Sequence, residues 1–266
     1  MKKQKKFPRG QGILMPLFSL NGKYGIGTLG DEAVCFLNFL SRAGCNMWQL
    51  LPLGPTGYGN SPYQCFSAFA GNPYFLNPEW FFEKGWIDSA LLSKFEASNT
   101  GRVDYGALCS NRKSLFGEIY EGFKKYATQN RKKDFEVFKS KQEYWLKDYT
   151  VFLALKEYFG GCGRADFPKF KTKSNAAVSF AEQNLKERIE YFSFLEYASA
   201  KASSNWLSWS FVRPPAFFRS SRTWTAFSLS PLVTCRAETC IVKANRFSSD
   251  NTAYCSASPS NFSATG

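Results

Sequence analysis

Unbroken apolar runs and helical stripes alternate along the first fifty residues. "GILMPLFSL" (12–20) is a continuous apolar run closed by the turn signal "NGKYG", a pattern that predicts a strand buried on both faces. A helix follows. Asp31 suits the N-cap, and Val34, Phe36, Leu37, Phe39, Leu40 and Ala43 recur at helical spacing until Gly44 stops the element. "MWQLLPL" (47–53) then predicts a second buried strand. Strand, helix and strand in so short a span define a parallel βαβ unit with a right-handed crossover.

Beyond residue 76 the period becomes helical. "SALLSKFEA", "SNRKSLFGEIYEGFKKYA" and "KSKQEYWLKDYTVFLALKEYF" each carry an apolar face and together predict a helical insertion over about residues 76–160. "SNAAVSFAEQNLKERIEYFSFLEYA" (174–198) predicts a further surface helix, with Glu interspersed among Lys and Arg. Near residue 199 the composition changes. No glycine occurs between Gly163 and Gly266, only Glu238 and Asp250 are acidic after that point, and helical periodicity is lost. Serine becomes abundant, yet Trp206, Trp209 and Trp224 are residues that linkers avoid. The expectation is an irregular segment over 199–255.

Composition adds limits. The chain has 266 residues, a formal net charge of +13 and no histidine. The basic run "KKYATQNRKK" (124–133) raises nucleic-acid binding, but no recognisable nucleic-acid motif accompanies it, and a solvated helix face accounts for it. No segment has the form of a signal peptide or the apolar length of a bilayer span, so the expected location is the cytoplasm and no membrane partner is expected. The eight cysteines are mostly far apart and read as free thiols. Cys235, Cys240 and Cys255 lie closer together, but a zinc site would need a fourth thiolate from far upstream; no metal is expected.

Two stretches carry candidate chemistry. "GIGTLG" (25–30) matches the dinucleotide fingerprint between a strand and a helix, but four residues separate the strand from the first glycine. The second strand also ends in "LLPLGP", with no acid for a ribose; a structural βα turn is the preferred reading, and no cofactor is expected. "GPTGYGNSPYQCFSAFAGNPYF" (54–75) is more informative. It combines glycine, proline and aromatic residues without one charged side chain, which suits a flat, uncharged ligand at the carboxyl end of a parallel strand. Tyr58, Tyr63, Tyr74 and Trp48 could stack on sugar rings, with Asn60, Ser61 and Gln64 bonding to hydroxyls. The alternative is that these aromatics pack the loop onto the body of the protein.

These motifs also carry a family resemblance. Residues 9 to about 198, above all "LPLGPTGYGNSPYQCFSAFAGNPY", "VDYGAL" and "WLKDYTVFLALKEYFGG", closely resemble the 4-alpha-glucanotransferases of glycoside hydrolase family 77, the amylomaltases or disproportionating enzymes. The resemblance implies an α/β fold: the N-terminal part of a (β/α)8 TIM barrel with helical insertions, the barrel being incomplete in this chain. It implies a hexosyltransferase that moves segments of α-1,4-glucan onto glucose or a maltooligosaccharide with retention. By that likeness Ser61 and Tyr63 line sugar subsites, and Tyr58 offers a further aromatic surface. Asn60 stands where many members have Asp.

A retaining transfer needs two carboxylates about 5 Å apart. In the family these lie in later segments resembling "R.DHFRG" and "AEDLG", with a third in an "HD" element, and none is present here. After "YFSFLEYA" the family continues toward a third strand resembling "IIGDIPIYV", whereas this chain reads "SAKASSNWLSWSFVRPPAFFRSS"; the likeness returns only over 256–266, at "SPSNFSATG". A shift of reading frame across 199–255 explains the lost glycines, acids and periodicity together, a divergent insert being the alternative. The expected molecule is therefore a glucanotransferase by family, without catalytic residues of its own. The other readings are a non-catalytic glucan-binding fragment and a basic nucleic-acid-binding protein.

Overall fold

Pro16 cuts the first apolar run short. A proline has no N–H for a ladder, so pairing stops ahead of it: strand β1 spans only Gly12–Leu14, and Leu17–Ser19 coil into a 3-10 turn. The predicted strand over 12–20 is thus corrected to a short strand plus a turn. Nor is β1 buried on both faces, since Leu14 remains 54% exposed. The structure, a computed structural model, describes residues 10–57, 59–97, 101–161, 175–210, 233–236 and 239–243, and from residue 204 onward only their backbone.

Helix α1 (Asp31–Arg42) follows, with Gly30 rather than Asp31 at the N-cap. Asp31 sits inside the first turn, where its charge still favours the positive end of the helix. In place of a cap, the Glu32 carboxylate accepts from the Thr28 N–H at 2.7 Å and the Thr28 hydroxyl at 2.6 Å. The glycines of "GIGTLG" serve packing: a Cβ on Gly27 would lie 2.0 Å from the Leu17 carbonyl oxygen. Strand β2 (Met47–Leu50) pairs in parallel with β1, Gly12 opposite Met47 and Leu14 opposite Gln49. This is the βαβ unit that the sequence predicts. Its core holds Leu17, Ile26, Leu37, Leu40, Trp48 and Leu50.

Among the described residues six helices follow: α2 (Pro78–Glu83), α3 (Ser89–Ser93), α4 (Tyr105–Tyr126), α5 (Gln129–Tyr158), α6 (Asn175–Asn184) and α7 (Lys186–Ser210). The helix expected over 174–198 is two helices parted at Leu185, and the second runs on to Ser210. Asp88, Asp104 and Thr128 cap α3, α4 and α5 with side-chain oxygens. The larger core lies among these helices, where Trp86, Phe123, Phe135, Phe194 and Tyr197 pack ring against ring. Arg112 of α4 ties this layer back to the βαβ unit. Its guanidinium lies against the rings of both Phe95 and Phe116 and donates from Nη2 to the Tyr24 carbonyl at 3.0 Å.

Within the segment expected to be irregular, strands β3 (Val233–Arg236) and β4 (Thr239–Lys243) form a hairpin. Strand β4 pairs antiparallel with β2, Trp48 opposite Val242, giving the sheet order β1-β2-β4-β3. A (β/α)8 barrel places only parallel strands beside one another. The β1-α1-β2 unit is thus the barrel-like part, and β4 stands where a parallel third strand would continue it. The rest of 211–266, including 256–266, lies outside the described residues.

The basic run at 124–133 is largely engaged. Lys124 pairs with Glu121 at 2.6 Å and Glu187 at 3.0 Å, while Lys132 donates to the Lys124 carbonyl at 2.7 Å. Cys35, Cys45, Cys65 and Cys109 are free thiols. No helix among the described residues is long and apolar enough to cross a membrane.

Candidate functional site

The loop Gly54–Phe75 leaves the carboxyl end of β2 and is closed at its base, where the Asn72 N–H donates to the Leu53 carbonyl at 3.0 Å. Thr56 and Cys65 pair antiparallel and narrow the loop into a hairpin. At its tip Gly59 (φ +85°) and Asn60 (φ +55°) take left-handed backbone, and the Asn60 N–H donates to the Gly57 carbonyl at 3.1 Å. Asn and Asp are the side-chain-bearing residues that tolerate this region best. Asn60 therefore meets the backbone requirement, as an Asp would.

The next turn is set by Ser61. Its Oγ accepts from the Tyr63 N–H at 3.3 Å, and its carbonyl accepts from the Gln64 N–H at 3.1 Å. The turn holds the Tyr63 side chain out in solvent, 60% exposed, with Gln64 exposed beside it and Asn60 and Ser61 half-buried. Of the five residues singled out from the sequence, these four share one tip; Tyr58 lies outside the described residues.

The other aromatics do different work. Trp48 is fully buried, donates from Nε1 to the Met15 carbonyl at 2.8 Å and meets Phe36 edge-on, so it is core and no ligand platform. Tyr74 is half-buried, and burial, with Cys109 beside it, pushes its hydroxyl above the ordinary tyrosine range. Phe66 and Phe69 face α5: Phe66 meets Phe152 with centroids 6.0 Å apart, and Phe69 stacks on Trp145 at 5.8 Å and meets Tyr144 edge-on at 5.7 Å. Tyr63 is thus exposed, while Phe69 packs against α5.

Helix α7 closes the site from beneath. The Gly71 N–H donates to Oε2 of Glu196 at 2.9 Å, and the Gly71 backbone lies so near Ser199 that a Cβ would sit 2.8 Å from the serine Cβ. Glu196 is only 4% exposed, and burial pushes its carboxyl up to about 8 against the opposing pull of the Gly71 N–H. Sequence reading passed over Glu196. The signal is a lone acid in the apolar stretch "FSFLEYA", whose neighbours Phe194, Leu195, Tyr197 and Ala198 are all buried.

The tip offers one exposed ring, two amides and a hydroxyl, a set that binds polyols by stacking and hydrogen bonding. It has no carboxylate to move a proton. Its one thiol, Cys65, packs beside Gly54, donates to the Pro62 carbonyl at 3.0 Å and is pushed by burial toward the inert thiol form.

A parallel βαβ unit with a long uncharged loop at the carboxyl end of its second strand is an arrangement of the α/β-barrel class. The chain belongs to glycoside hydrolase family 77, 4-alpha-glucanotransferase, whose model matches residues 15–207. It is 40% identical over 193 residues to the 4-alpha-glucanotransferase of Thermus thermophilus and 39% identical over 190 residues to that of Clostridium butyricum. These matches cover 72% and 69% of this chain, which spans only 38% and 37% of the two relatives' lengths. Among solved structures, the amylomaltase from Streptococcus agalactiae in complex with acarbose superposes with a TM-score of 0.71 at 30% identity, over 76% of this chain and 41% of that one. The amylomaltase from Corynebacterium glutamicum, at 13% identity and a TM-score of 0.58, shares the fold.

Proposed function

We propose that this chain supplies the sugar-binding wall of a 4-alpha-glucanotransferase, an α-1,4-glucan or maltooligosaccharide lying across the loop tip, and that it carries out no transfer alone. The observation that carries the reading is Tyr63, a ring held 60% exposed by the Ser61 turn in a loop without charge. Buried packing does not account for that exposure. Asn60, Ser61 and Gln64 stand beside the ring to bond hydroxyls. The acarbose named with the Streptococcus agalactiae amylomaltase belongs to the same ligand class. A retaining transfer requires a nucleophilic carboxylate and an acid/base partner, and the loop has neither. The cytosol, where its free thiols persist, is the setting this reading assigns.

Titrating the full chain with maltoheptaose by calorimetry tests the binding, alongside a glucose-release assay on maltotriose. Weak binding that drops about two- to tenfold in Tyr63→Ala, the loss of one stacking contact, together with no glucose above the buffer control, is the expected result. Equal affinity in Tyr63→Ala overturns the assignment of the ring, and glucose release overturns the claim that the chain is inactive alone.

A further inference from the structure

Loop and helix meet at one polar contact in otherwise apolar packing. Phe66 and Phe69 fix the flank of the loop against α5, but its base rests on α7 through Gly71 alone among the polar contacts described between these two elements. The approach is close on both sides of the peptide. Ser199 leaves no room for a side chain at Gly71, Ala70 is 2% exposed, and Asn72 at 6% fastens the loop to the end of β2. Glu196 lies beneath at 4% exposure, with Tyr149 of α5, itself 7% exposed, near enough to feel its charge. No ion pair of Glu196 is found among the described residues; Tyr149 is the titratable group that senses it across the interface, and Cys65 of the loop acts on Tyr149 in turn. An acid without a cation in such a place persists as the neutral form, because ionising it there lacks both water and a counter-charge.

We propose that Glu196 is the positioning residue of the loop: its protonated carboxyl seats the loop on α7 through the Gly71 amide, and loss of that proton unseats it. A carboxylate at this depth gains stability only by admitting water, and the cheapest opening is the loop base, which is held there by one hydrogen bond while α7 is held by the aromatic core on its other side. Lifting the base at Gly71 also frees Asn72 from Leu53, so the hairpin that carries Asn60, Ser61, Tyr63 and Gln64 loses its fixed orientation. The consequence for sugar rests on the function proposed above; the seating does not.

Hydrogen exchange on the full chain, without sugar, tests the seating. Protection of the Gly71 amide, corrected for hydroxide catalysis, is expected to fall about tenfold or more between pH 5 and pH 7, where the opened carboxyl is ionised and the seated one is not, and to stay below that of the Ile119 amide in α4 at every pH. Glu196→Gln, which retains an oxygen for the Gly71 N–H but cannot ionise, should hold Gly71 protection constant over the same range. Constant protection in the wild-type chain overturns the proposal and needs no variant. Protection at Gly71 equal in size to that at Ile119 overturns it as well, because the opening is then global. Absence of maltoheptaose binding at pH 7 counts against the sugar reading alone.

Discussion

Phe69 of the loop and Trp145 of α5 lie face to face, their centroids 5.8 Å apart and their planes 23° from parallel. This stack, with Tyr144 edge-on to the same ring, makes α5 the back wall of a loop that belongs to the end of β2. Phe69 and Tyr63 are six positions apart and serve opposite purposes, one inward and one outward.

Truncating each ring separates the two roles. Phe69→Ala removes a partly buried stack and should cost about 2–3 kcal/mol of stability, below the full core range because the ring is only half covered. Tyr63→Ala should stay within about 0.5 kcal/mol of the wild type, as exposed substitutions do. Urea denaturation of both variants checks this; a Tyr63 cost equal to that of Phe69 would make Tyr63 a packing residue.

The dependence of stability on pH should have two limbs. Burial pushes up on Glu79 and Glu157, but Lys23 with Asn77 outweighs it at the first, and Lys113 with Arg188 at the second, so both carboxyls titrate below their ordinary range. A depressed carboxyl stabilises above its unfolded value near 4.5, and that contribution disappears as pH falls through the folded value. Glu196 acts in the opposite sense. Its value is raised from 4.5 to about 8, so the folded chain binds the extra proton, and stability declines as pH climbs from about 4.5 toward 8. Denaturation midpoints from pH 3 to 9 should therefore peak on the acid side of neutrality. Glu196→Gln should flatten the alkaline limb and leave the acid limb in place; an unchanged alkaline limb would assign that fall to another group.

How much of this was legible depends on the distance over which each feature is decided. The β1-α1-β2 unit could be read because apolar spacing and Gly44 act within a few residues. Pro16 was visible too, yet the apolar run around it dominated, and the strand came out too long. That Asn60, Ser61, Tyr63 and Gln64 lie together in one tight turn was signalled by local composition. That Phe69 would find Trp145, or Gly71 find Glu196, was not legible, because those pairs join elements far apart in sequence and no local pattern encodes the partner. Glu196 left a trace only as an acid among buried neighbours. The antiparallel pairing of β4 with β2 left none, since its segment lacks the alternation that marks a strand.

Asn60 supplies the last prediction. Its φ of +55° lies where a Cβ crowds the following carbonyl, at a cost of roughly 1–2 kcal/mol for ordinary residues, while Asn, Asp and Gly enter at little expense. Asn60→Asp should then be neutral in stability within about 0.5 kcal/mol, which makes this position a choice of charge and not of fold. Asn60→Val, branched at Cβ, should lose about 1–2 kcal/mol or more and free the tip, because the hydrogen bond from the Asn60 N–H to Gly57 holds only in that conformation. Thermal denaturation gives the stability, and maltoheptaose titration gives the function. Under the sugar reading, Asn60→Val weakens binding through a misdirected tip, whereas Asn60→Asp preserves it to within a few fold, since either side chain can accept from a hydroxyl. Should Asn60→Asp lose binding at full stability, the amide N–H donors of Asn60 are what the sugar requires.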